Sequence, residues 1–119
     1  MAGGLLAACA AMAAVELSAD AMRDAEDTLK SLDSNVSLKV GPKALEEARE
    51  LARFFQAVEG HYTAKADAQM GVQFAKLSRE HAEKAVKALE AKDFDAAFEA
   101  VDDLQRSCKR CHEVYKKPK

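Results

Sequence analysis

Near the C-terminus the chain reads Cys108-Lys109-Arg110-Cys111-His112. Two thiols separated by two residues and followed at once by an imidazole form the C-x-x-C-H pattern of covalent haem attachment. The chemistry sets the spacing. Both thiols must add to the two vinyl groups on one edge of a porphyrin, and the imidazole beside them must turn under the ring to reach iron. On a helix, positions i, i+3 and i+4 share one face, so the three groups project together. The pattern implies one covalently bound haem c, with Cys108 and Cys111 as its anchors and His112 as an axial ligand. Two other chemistries use paired cysteines. A tetrahedral zinc site needs further ligands, and the chain has neither a second C-x-x-C nor an H-x-x-x-H; His61 and His81 stand alone. A thioredoxin-like redox pair belongs at a helix N-terminus in a βαβ setting, whereas these cysteines come late in a helical stretch, where the dipole disfavours thiolate. A helical metal-binding or interaction module without haem is the competing class.

The elements that must position this motif are helices. Of 119 residues, 25 are Ala; Val and Thr together give 10, Ile is absent, and Gly plus Pro give 7. That balance favours helix over sheet. Apolar residues recur at helical spacing in four stretches. The first, with Ser18 as N-cap, carries Met22, Ala25, Leu29, Leu32 and Val36 on one face. Asp33, Ser34 and Asn35 weaken its end, and Gly41-Pro42 marks a break and a new start. The second carries Leu45, Ala48, Ala52, Phe55 and Val58, with Gly60 as its stop. The third runs from about Ala64 to Ala91, with Phe74, Leu77, Ala82, Ala85, Ala88 and Leu89 inward. Asp93 caps the last, which presents Phe94, Ala97, Phe98, Val101, Leu104, Cys108, Cys111 and Tyr115. Short joins between four amphipathic helices predict an all-α, antiparallel four-helix bundle. Its inward faces are rich in alanine and it has no Trp, which leaves volume that a large apolar cofactor would fill.

The first fifteen residues carry no charge. Their apolar run is too short to span a bilayer and ends in Ala11-Met12-Ala13, the small-x-small form that signal peptidase accepts. Residues 1–13 are therefore expected to be a signal peptide, residues 14–119 the mature domain, and the location periplasmic. An Ala-rich first helix and a lipoprotein box at Leu6-Ala7-Ala8-Cys9 are the alternatives. Cleavage would remove Cys9, leaving only the two haem cysteines.

The segment Cys108-Lys109-Arg110-Cys111-His112-Glu113-Val114-Tyr115-Lys116 resembles the class II c-type cytochromes, the cytochrome c′ family and its low-spin relatives. That family carries its haem motif at the end of the fourth helix, followed by an aromatic and a basic residue. The likeness extends more weakly over residues 17–117 through the four-helix pattern. Met22-Arg23 resembles the Met-Lys or Met-Gln of the family's first helix, at the place that faces the distal side of the iron. The resemblance implies a periplasmic haem protein that transfers electrons or binds small gases, often as a homodimer.

Two roles are open to Met22: a sixth iron ligand, whose Met/His ligation suits electron transfer, or a core methionine filling a gap. If Met22 only packs, the iron is five-coordinate, with an apolar pocket suited to NO or CO. Met70 is a weaker ligand candidate. His61 reads as a loop or capping group and His81 as a boundary histidine. Arg23 and Arg106 are candidate partners for haem propionates. The net charge of −2 excludes a broadly basic nucleic-acid binder. The last fourteen residues nonetheless hold six basic residues against one acid, Glu113. Cations at a helix C-terminus suit the dipole; they would also form a docking patch for an acidic redox partner. No nucleophile–base pair or acid–base carboxylate pair is legible, so the expectation is an electron carrier rather than an enzyme.

Overall fold

A computed structural model of the chain describes residues 19–64 and 69–115, with side chains described as far as Lys109. The expected signal peptide, the Ser18 cap and most of the basic C-terminal cluster lie outside the described residues. Four helices follow in order: α1 (Ala19–Ser37), α2 (Gly41–Thr63), α3 (Gln69–Glu90) and α4 (Phe94–Tyr115). Among the described residues each packs on two neighbours, α1 on α2 and α4, and α3 on α2 and α4, with no packing across the diagonal. The chain is thus a four-helix bundle among the described residues. Packing is most extensive between α2 and α3 and least between α1 and α4. None of the described helices is long and apolar enough to cross a membrane.

Both short turns use the same device. After α1, Lys39 adopts a left-handed φ of 60°. Its N–H donates to the Val36 carbonyl at 3.0 Å, and the Val40 N–H donates to the Asn35 carbonyl at 2.8 Å. After α3, Lys92 has φ 59°, its N–H reaches Leu89 at 3.0 Å, and the Asp93 N–H reaches Ala88 at 2.8 Å. These are paired Schellman closures, with lysine where glycine is usual. Pro42 then sits in the first turn of α2, where its missing N–H costs nothing. Asp93 caps α4 as expected, its Oδ1 accepting from the Ala96 N–H at 3.0 Å.

Two expectations need correction. Gly60 does not end the second helix; it lies inside α2, which runs on through His61 to Thr63. Glycine signals a stop when it takes a left-handed φ, and no described glycine has one. Ala64 lies in the turn after α2 and α3 is described from Gln69; residues 65–68, where the third helix is expected to start, lie outside the described residues. Arg79 of α3 holds the late turns of α2 in place, with Nε 2.7 Å from Glu59 and Nη1 3.2 Å from Glu83. The Glu59 hydrogen bond raises the guanidinium pKa above its ordinary value; burial opposes this and Glu83 adds to it. Finally, Leu77 and Phe98 are 44% and 49% exposed rather than inward. The buried seam of α3 runs through Ala75, Ser78, Ala82 and Ala85. Leu77 follows Ala75 by two residues, about 200° around the helix.

The core is built from Leu32, Leu51, Val101 and Leu104, each under 2% exposed, set among Ala44, Ala48, Ala82, Ala85 and Ala97. Alanine on facing helices lets the backbones approach closely, and the leucines fill the space between. Leu51 and Ala44 belong to this core although the expected stripe of the second helix omitted them.

Candidate functional site

At one end of the bundle the described residues leave a cleft. Here the early turns of α1, the late turns of α2, the early turns of α3 and the late turns of α4 surround it. Met22, Ala25, Glu26 and Leu29 come from α1, and Phe54, Phe55, Val58 and Tyr62 from α2. Gly71, Phe74, Ala75 and Ser78 come from α3, and Cys108 from α4. The cavity volume is about 50 Å³, enough for a water or two. The walls are almost wholly apolar, and the half-buried Cys108 side chain packs against the core.

Local sequence explains each placement. Met22, Ala25 and Leu29 follow the three-and-four rhythm of α1, so the stripe that enters the core at Leu32 leaves Met22 at the cleft. Cys108 follows Leu104 by four residues on the buried seam of α4, so the seam that fills the core ends in a thiol at the cleft. The backbone of α4 stays helical through Tyr115, which puts positions 108, 111 and 112 on one helix face. The side chains of Cys111 and His112 lie outside the described ones.

Two contacts were not legible in the sequence. Ser78 and Ser107, both buried, have their Oγ atoms 2.8 Å apart across the α3–α4 contact. Tyr62 lies against Gly71 so closely that a Cβ there would come within 2.8 Å of the ring. A glycine is therefore required where α3 passes this tyrosine. No rule of spacing links positions 62 and 71; only the packing of α2 on α3 does.

The remaining candidates are not cleft residues. Met70 is 52% exposed and does not line the cleft. His61 lies on α2 with its ring 5.2 Å from that of Tyr62, edge to face. His81 is half-buried and lines a separate groove with Phe74, Leu77, Asp103, Arg106 and Ser107. Arg23 pairs with Asp20 at 3.7 Å and Arg106 with Asp102 at 3.0 Å, both within their own helices. Among the described residues no group of three or more His, Cys, Asp or Glu could hold a metal ion; Cys111 and His112 stand outside that set.

No family model, curated protein or solved structure matches this chain. The likeness to class II cytochromes therefore rests on the residues alone. Their chemistry suits an apolar planar group: a thiol at the end of one seam, a thioether at the end of another, and aromatic walls between. The narrow cavity means that such a group would part the helices. α1 and α4, which share the least contact, are the pair that would give.

Proposed function

We propose that this chain is a periplasmic mono-haem c-type cytochrome that carries electrons between redox partners. The observation that carries the reading is the shared cleft: Cys108, first residue of the C-x-x-C-H sequence, lines it together with Met22 of α1. Cys108 and Cys111 would hold the haem as thioethers, and His112 would be one axial ligand. Met22 is the candidate for the other. Haem would supply reversible one-electron chemistry at iron, tuned by its axial ligands and by exclusion of water. The chain's own contribution is positional. Phe54, Phe55, Val58 and Phe74 keep the cleft apolar, and Tyr62 and Gly71 form its rim. Because α4 is helical through the motif, anchoring at two points on one face would fix the ring against a rigid element.

The presence of Met22 in the cleft favours an electron carrier over a five-coordinate protein that binds NO or CO. A thioether already at the cleft competes with an external ligand. A basic C-terminal surface for an acidic redox partner, and a homodimer, belong to the same proposal. The test is expression with a haem-attachment system, followed by a denaturing gel stained for haem. A stained band of this chain, lost in Cys108→Ser/Cys111→Ser, is the expected result. An unstained wild-type band would leave a helical interaction or metal-binding module as the better reading.

A further inference from the structure

α1 and α2 share a polar cluster away from the cleft. Ser31 and Asn35 stand one turn apart on α1 and face Glu47 of α2. Glu47 is 6% exposed. Its Oε2 accepts from the Ser31 hydroxyl, and its Oε1 accepts from Asn35 Nδ2 at 2.7 Å. Asn35 Nδ2 also lies 3.4 Å from Ser31 Oγ. Among the described residues no lysine or arginine forms an ion pair with Glu47. A buried carboxylate held only by neutral donors is a poor source of net stability, because desolvation opposes what its hydrogen bonds contribute. What such a cluster supplies is direction.

The apolar seam of α1 fixes which face turns inward, but not the place of the helix along its axis. Ala25, Leu29, Leu32 and Val36 pack against α2 and α4 without directional bonds, and α1 has the least contact with α4. A slip of four residues moves the helix about 6 Å along its axis and turns it by only about 40°, so the apolar seam still faces inward. That slip would bring Glu26 towards the position of Met22, and would undo the pairing of Ser31 and Asn35 with Glu47. Met22 precedes Ser31 by nine residues, about 14 Å along a continuous helix, so the register fixed at Ser31 and Asn35 is transmitted to the cleft. Asn35 also anchors the adjoining turn, since its carbonyl accepts the Val40 N–H at 2.8 Å.

We propose that the Ser31–Asn35–Glu47 cluster is a register lock that selects Met22 as the α1 residue presented to the cleft. Its three members are positioning residues that act through the helix. The register claim stands without any cofactor; its consequence for iron ligation rests on the proposed function.

The test uses the full chain labelled with ¹³C at the methionine methyls. The Met22 resonance is assigned by its disappearance in Met22→Ala. Wild type is expected to show one Met22 signal with nuclear Overhauser contacts to cleft aromatic protons. Glu47→Gln, which still accepts from Asn35 and can donate to Ser31, should keep both. The apolar triple variant Ser31→Ala/Asn35→Leu/Glu47→Leu leaves no buried polar group unpaired and should melt no lower than wild type. Its Met22 signal should nevertheless split or lose the aromatic contacts. A single unchanged signal in a folded triple variant would overturn the lock and assign the register to the turn alone. Should that variant not fold, Ser31→Ala is the milder probe: relaxation dispersion at the Met22 methyl should rise, and no rise overturns the proposal. In haem-loaded protein the triple variant should weaken the methionine-to-iron charge-transfer band. Failure of wild type to take up haem would defeat the proposed function while the methyl comparison still decides the lock.

Discussion

From the middle of the bundle to its two short turns, Leu32, Leu51, Val101 and Leu104 are nearly sealed from solvent, and the residues around them are mostly alanine. At the opposite end Phe54, Phe55, Tyr62 and Phe74 surround a cavity, with Met22 and Cys108 among them. The same four helices build both ends. Small side chains fill the space between the helices at one end, and aromatic rings, a thioether and a thiol line the cavity at the other. The alanine-rich faces do not leave space everywhere, as composition suggested. They close one half of the bundle, and the apolar cavity lined by Met22 and Cys108 lies in the other. Tight packing and this cavity are thus divided along the helix axes.

The largest expected effect tests the closed half. Leu104→Ala removes a fully buried side chain from a tightly packed region and should cost about 2–5 kcal/mol in urea unfolding, whether or not the cleft is filled. A cost near zero would show that this half is no better packed than the cleft.

Next in size is the rim of the cleft. Gly71→Ala places a methyl within 2.8 Å of the Tyr62 ring and should cost about 1–3 kcal/mol through overpacking. Tyr62→Leu in the same background should recover part of that loss. Equal stability of Gly71→Ala and wild type would mean that the ring moves freely and that the rim is not built around it.

The smallest concerns the turn that closes α3 onto α4. Asp93→Ala removes the hydrogen bond to the Ala96 N–H and should cost about 1 kcal/mol. Because α4 carries Cys108 at its far end, the loss should appear in stability while the cleft stays intact.

Much of this architecture was legible from spacing. The stripe Met22, Ala25, Leu29, Leu32, Val36 and the seam Ala97, Val101, Leu104, Cys108 are local periodicities, and each ends at a residue of the cleft. So Met22 and Cys108, far apart in sequence, could both be picked out. What could not be read depends on tertiary packing. Gly60 looked like a stop because glycine permits a left-handed cap, but contact with α3 continues the helix past it. Lys92-Asp93 was legible as the short join before α4, but the left-handed φ at Lys39 and Lys92 was not. Leu77 and Phe98 are hydrophobic by type yet fall off the buried arc. Asn35 looked like a helix-weakening residue, whereas its side chain meets Glu47 twelve positions later. Tyr62 and Gly71 acquire meaning only when α2 and α3 are side by side.

On the proposed function, the cleft end takes haem while the alanine-packed end holds together without it. Amide hydrogen exchange tests this most directly, comparing haem-loaded wild type with Cys108→Ser/Cys111→Ser. Loading is expected to raise protection around Met22, Leu29, Phe55, Tyr62 and Phe74. Amides near Leu51, Ala85 and Val101 should change little. Protection that rises evenly along all four helices, or only beside the short turns, would contradict it.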